Sequence, residues 1–207
     1  LAVMAFGVTD TVVAGRYDPT ALAALSVGSA VYISVFVTLM GLLQATLPML
    51  SELHGAQRHA DMGRLMRQSI YIWLGASALG MAVLMNAGMA LEWTQVPMPL
   101  RPTIEHYLDV LAAALPAALA FRLYGNLNQS LGRPKAVTWV QLLGLACKIP
   151  LSALLTFGWS DHSGLGVVGC ALATLIVNWL MAAFALLALQ RGNYGDLHLW
   201  RRIEEPD

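Results

Sequence analysis

The chain has 207 residues, of which 57% are hydrophobic and only 12% charged, against about a quarter charged in ordinary soluble proteins. Its 12 basic and 12 acidic residues cancel to zero formal net charge, so no global basic field exists to gather nucleic acid, and nucleic-acid partners are excluded. Such a chain belongs in a lipid bilayer.

Residues 1–15 are apolar from Leu1 onward except around Asp10, and they read as the remaining part of a truncated first membrane helix. A signal peptide fits poorly, because the run has no basic start, Asp10 interrupts it, and apolar stretches continue downstream. A spanning helix needs about 20 mostly apolar residues. Five further stretches satisfy that length: 19–51 and 68–91 hold no charge, 110–131 only Arg122, 136–160 only Lys148, and 162–190 again none. The predicted fold is therefore an all-α integral membrane protein with six transmembrane helices. The second stretch exceeds one perpendicular crossing, so part of it is expected to form a turn at Pro19 and a cytoplasmic end near Pro48.

Lys and Arg in the short loops set the direction. Arg58, Arg64, Arg67, Arg133, Lys135, Arg191, Arg201 and Arg202 follow the second, fourth and sixth spans, against Arg16 and Arg101 on the other side, which predicts those loops and the C-terminal tail in the cytoplasm. Tyr17, Trp93, Tyr107 and Trp159 near the opposite ends read as interfacial anchors. Leu197, Trp200 and Ile203 fall at helical spacing in the tail, which is read either as lying along the inner surface or as a plain linker. Cys147 and Cys170 sit in apolar segments and read as small buried side chains, not a disulfide framework.

Charges inside apolar spans carry the functional signal. A mid-membrane Asp or Lys costs roughly 2.5 to 3.5 kcal/mol even on the lenient insertion scale, so such residues face a bundle interior or aqueous cavity and serve ion or substrate pathways. On the fifth span Gln141, Lys148, Ser152 and Thr156 share one narrow helical stripe. On the sixth, Thr174 and Asn178 lie four apart with Cys170 a turn away, either in a cavity or as interhelical hydrogen bonds. At 1.5 Å per residue Asp10 lies about 8 Å inside the outer interface and Lys148 about 15 Å, within reach of each other along the lysine stem. Their pairing offsets the cost of burial, and the pair serves either coupling or simply the attachment of the first helix to the fifth. Pro150 removes a backbone donor beside Lys148 and is the candidate hinge. Arg122 either snorkels to the cytoplasm or faces substrate. The chain holds no H-E-x-x-H, G-x-S-x-G or G-x-x-x-x-G-K motif, and its five histidines are scattered in loops and helix ends, so no catalytic residue and no metal site is expected and the reading is not that of an enzyme.

Val8-Thr9-Asp10-Thr11-Val12-Val13-Ala14-Gly15-Arg16 with Leu22-Ala23-Ala24-Leu25 resembles the opening of the multidrug and toxic compound extrusion family, in its NorM-like branch. Gly41-Leu42-Leu43-Gln44-Ala45-Thr46-Leu47-Pro48 and Glu52-Leu53-His54-Gly55-Ala56 are similar to the end of that family's second helix and the loop after it. Leu131-Gly132-Arg133-Pro134 resembles the loop before helix five, and Gly166-Val167-Val168-Gly169-Cys170-Ala171-Leu172-Ala173-Thr174 the start of helix six. The resemblance implies twelve helices in two six-helix lobes that export organic-cation drugs or toxic compounds across the bacterial inner membrane in exchange for protons or sodium. Residues 1–190 would then be the N-terminal lobe and 191–207 a cytoplasmic linker toward a second lobe of the same polypeptide, with no cofactor besides the coupling ion. The family's coupling Asp on helix one maps onto Asp10 and its helix-six Thr onto Thr174. Where NorM-like members carry Asn-Ile-Pro-Leu-Asn, this chain has Lys148-Ile149-Pro150-Leu151-Ser152. An Asn carbonyl can ligate a metal cation whereas an ammonium only donates, so the expected coupling ion is the proton, with sodium second. Competing expectations are a lipid-linked saccharide flippase of the same superfamily and a non-transporting membrane assembly subunit.

Overall fold

The computed structural model describes residues 2–88, 97–158 and 165–191. Among these residues seven long or medium helices carry the fold: α1 (Ala2–Tyr17), α2 (Pro19–Gln44), α3 (Thr46–Gly55), α4 (His59–Met85), α5 (Arg101–Ser130), α6 (Pro134–Phe157) and α7 (Val167–Arg191). Among the described residues five stretches, Pro19–Gly55, His59–Met85, Met98–Ser130, Pro134–Phe157 and Val167–Gln190, are long and apolar enough to cross a membrane. The remaining expected span is α1, which has 16 residues. Trp93, Trp159, the side chain of Tyr17 and the tail with Leu197, Trp200 and Ile203 lie outside the described residues.

α5 is the hub, packed on α2, α3, α4 and α7, while α6 lies along α7 and α1 closes the ring between α6 and α2. Its central place explains its composition. Of the most apolar 18-residue window of this span 61% is buried, against 28% to 33% in the others, so α5 can use small and branched residues on nearly every side, among them Leu108, Leu111, Ala112, Ala114, Leu115 and Leu119. The outer helices bury one face and turn the other outward. α6 buries Val137, Val140, Gly144, Lys148, Ser152 and Thr156, and exposes Trp139, Leu142, Leu143, Ile149, Leu154 and Phe157, as a helix between a packed interior and lipid must.

Several boundaries differ from those read in the sequence. α5 starts at Arg101, nine residues before residue 110, because Ile104, Tyr107, Leu108 and Leu111 continue its buried face while Glu105, His106 and Asp109 point outward. Tyr107 is thus no interfacial anchor: it is 3% exposed and packs on Gly28 of α2, where a Cβ would lie 2.7 Å from its ring. The second span ends close to Pro48, as expected, since α2 stops at Gln44, but the chain does not leave the helical path there. The chain breaks step at Ala45 and continues helically to Gly55, with Pro48 in the first turn of α3, where its missing N–H has no helical acceptor in any case. Asn126 of α5 donates to the Leu43 carbonyl at 2.9 Å and to Thr46 Oγ1 at 3.2 Å, and so ties α5 to both sides of that break. Cys147 is exposed, not buried, on the outer face of α6; Cys170 is buried, and both thiols are free.

The turn from α6 to α7 fixes how closely those helices meet. Gly158 ends α6 at φ 80, a conformation open to glycine. Gly169 lets the start of α7 touch the backbone of α6, since a Cβ there would lie 2.6 Å from the Leu155 carbonyl.

Candidate functional site

Asp10 and Lys148 meet. Lys148 Nζ donates to Asp10 Oδ2 at 2.8 Å, and the two residues are 1% (Lys148) and 7% (Asp10) exposed. The ammonium also donates to the backbone carbonyl of Phe6 at 3.3 Å and stands 4.6 Å from the centroid of the Phe6 ring. Ser152 Oγ donates to the other carboxylate oxygen, Asp10 Oδ1, at 3.4 Å. Each group has a reason in the helix geometry. Phe6 and Asp10 are four apart on α1, and Lys148 and Ser152 four apart on α6, so each pair projects from one side of its helix toward the other helix. Two opposite charges withdrawn from water are tolerable together only where each has further hydrogen-bond partners, and here each has one.

The rest of the α6 stripe divides. Thr156 lies a turn beyond Ser152 and meets Cys170 Sγ of α7 at 3.3 Å, away from the ion pair. Gln141 lies on the other side of Lys148 and lines a cavity of about 120 Å³ between α1, α2, α5, α6 and α7. Asp10, Lys148, Arg122, Thr174 and Asn178 line the same cavity. The structure therefore gathers into one space the site residues expected from sequence, except Ser152, held behind Asp10, and Pro150. Thr174 donates to the Cys170 carbonyl of its own helix at 2.9 Å and makes no hydrogen bond to the ion pair. Arg122 Nη2 lies 2.8 Å from Met40 Sδ, so its head is directed toward α2 and the cavity. Pro150 lies inside an unbroken α6 with its ring exposed, on the side away from Lys148.

Sequence reasoning missed the aromatic lining. Tyr32 and Phe36 of α2 stack at 5.8 Å between centroids, and with Phe6, Tyr107 and Phe121 they give the cavity ring faces suited to an organic cation. Phe6 carried a readable signal, being four residues before Asp10 on the same helical face. Tyr107 and Phe121 carried none, because their inward direction follows from how α5 is surrounded.

The chain matches the MatE family model over residues 1–154. It is 37% identical over 182 residues to the probable multidrug resistance protein NorM of Aromatoleum aromaticum, a match covering 88% of this chain and 39% of that protein. It is 36% identical over 211 residues to the probable multidrug resistance protein NorM of Chromobacterium violaceum, covering 100% of this chain and 45% of that one. A solved structure described as the inward-facing conformation of a multidrug resistance MATE family transporter of the MOP superfamily superposes with a TM-score of 0.87 at 19% identity, over 98% of this chain and 46% of that one. The chain thus spans less than half the length of these curated relatives, and at that identity the superposition speaks to fold alone.

Proposed function

Because the chain belongs to the MatE family, we propose that it is the N-terminal lobe of a multidrug exporter that exchanges organic cations for protons, with the Asp10–Lys148 pair as its coupling element. The observation that carries this reading is the buried pair itself, placed in the wall of an aromatic cavity. The relatives' names, probable multidrug resistance proteins, agree with it. The chain is a multi-pass membrane protein; by the bias of its Arg and Lys residues the loops after the second and fourth spans and the C-terminal tail face the cytoplasm of a bacterial inner membrane. The cavity's about 120 Å³ is below the roughly 300–1,000 Å³ of drug-sized sites, and a second lobe of the same polypeptide would complete it.

Mechanism follows from the charges. With Asp10 ionised, its attraction to Lys148 holds α1 against α6 while the cationic substrate rests on the ring faces of Tyr32, Phe36 and Phe121. A proton from outside neutralises Asp10, and the Lys148–Asp10 attraction is lost. α1 and α6 then separate, the wall of the cavity rearranges, and the substrate leaves outward. Loss of that proton on the inner side restores the pair. Such a cycle works only if the two arrangements bind the proton with different affinity. Pro150, which removes one internal hydrogen bond of α6, is the place for the bend.

The same contacts support the proton as the coupling ion. Lys148 and Ser152 both turn donors toward Asp10, and the ammonium occupies the position beside Oδ2 that a metal cation would take. Gln141, Asn178 and Thr174 supply neutral hydrogen bonds for substrate, and Arg122 favours substrates that carry an acceptor near their cationic group.

The test is dye efflux by the full-length protein in cells, parent against Asp10→Asn at equal membrane abundance, with the proton gradient set and then collapsed. Export by the parent only with the gradient, and none by Asp10→Asn, is the expected result. Equal export by both would make the pair structural. A parent that exports no cationic dye would favour the flippase or assembly-subunit reading.

A further inference from the structure

The charges around the aromatic cavity do not balance. Asp10, Lys148 and Arg122 all line it, but Asp10 and Lys148 are committed to each other at 2.8 Å. Among the described residues this leaves the Arg122 guanidinium as the uncompensated charge of the cavity. Its Nη2 meets Met40 Sδ, a neutral and weak acceptor, and its other guanidinium N–H groups have no partner among the described residues. A charged side chain within a membrane span either pairs or faces an aqueous cavity, and half-buried Arg122 does the second. The carboxylate that could attract a positively charged substrate, Asp10, is already covered by Lys148 and Ser152. The position of the guanidinium is set by α2. Tyr32, Phe36 and Met40 recur every four residues, so two stacked rings are followed, about 6 Å further along the helix axis, by the sulfur on which Arg122 rests. A flat molecule lying on those rings therefore has a planar, permanently charged donor fork at one edge.

We propose that Arg122 is the specificity-determining residue of the cavity and that the preferred substrates are aromatic zwitterions, which carry a carboxylate besides their cationic nitrogen. The carboxylate sits on the Arg122 guanidinium, where two planar groups form paired, charge-assisted hydrogen bonds. The cationic ring system lies on the faces of Tyr32 and Phe36. A substrate with positive charge alone meets repulsion from Arg122, with no free carboxylate in the wall to offset it. The proposal rests on the reading of this cavity as the substrate site and narrows the class from organic cations in general to those that also bear an acidic group.

The experiment is equilibrium binding, read by fluorescence polarisation, of rhodamine B and of its ethyl ester to the purified full-length protein in detergent at neutral pH. The two dyes share one cationic ring system and differ in a carboxylate that is ionised in the first and masked in the second. The parent is expected to bind rhodamine B about tenfold more tightly than the ester, near the low end for a hydrogen bond to a charged group. Arg122→Gln should bind the two alike, by losing affinity for rhodamine B, and Arg122→Lys should keep part of the preference. Met40→Glu sets a carboxylate against the guanidinium without removing it. It should abolish the preference as well, and it decides the matter if Arg122→Gln fails to fold. Equal affinity of the parent for both dyes overturns the proposal, and so does a preference that survives in whichever of Arg122→Gln and Met40→Glu folds. In either case the ester is still bound and the organic-cation reading stands. A parent that binds neither dye overturns the proposal together with that reading.

Discussion

Helices α5 and α6 both bury polar groups inside the membrane, and they do so in opposite ways. On α5, the most enclosed helix, Asn126 donates to the Leu43 carbonyl of a broken helix, and Asn128 and Ser130 donate to carbonyls of their own helix. On α6, buried along one stripe only, Lys148 and Ser152 reach across to a carboxylate on another helix. The polar groups of α5 complete a backbone and have no reason to move. Those of α6 depend on a charge that one proton removes. Depth of burial therefore does not separate the two helices; what each polar group is paired with does.

That contrast can be broken most forcefully at the pair. Lys148→Ala leaves Asp10 buried without its counter-ion, and should cost about 3 to 5 kcal/mol, read as early thermal unfolding of the purified protein in detergent. Replacing both partners at once, Asp10→Asn with Lys148→Gln, should return most of that stability while coupled efflux stays absent. Recovery of efflux along with stability would reduce the pair to an attachment of α1. On the structural side, Gly80 of α4 faces Leu115 and Leu39, so Gly80→Val should overpack the contact between α4 and α5 by about 1 to 3 kcal/mol. Its efflux per folded molecule should keep the parent's dependence on the proton gradient. Asn126→Ala is the smallest of the series, about 0.6 and at most about 1.7 kcal/mol for an interhelical hydrogen bond in a membrane, with coupling unchanged. A variant of α5 that altered the coupling ion would break the comparison.

The α6 stripe was legible in sequence because a charge in an apolar run is costly and must find a partner: Asp10 and Lys148 meet, and Ser152 joins them, as the spacing predicts. Thr156, on the same stripe, turned instead to Cys170, since the stripe is longer than the depth of the pair. Helix ends were less legible. Hydropathy set the start of the fourth span at residue 110, where the charges stop, yet the repeat of Ile104, Tyr107, Leu108 and Leu111 carries the helix back to Arg101. The break at Ala45 was announced by Pro48, which has no N–H for the Gln44 carbonyl four residues before it, but the Asn126 contact that bridges the break is created only by packing. Cys147 shows the converse error, an apolar neighbourhood mistaken for burial when the apolar surroundings are lipid.

The most direct test of the central claim is transport by the full-length protein in sealed proteoliposomes, where a pH gradient or a sodium gradient can be imposed alone. If the Lys148 ammonium beside Asp10 excludes a metal cation, as proposed, the pH gradient should drive uptake of a cationic dye and the sodium gradient should drive none. Uptake driven by sodium alone, at the rate the pH gradient supports, would contradict the account.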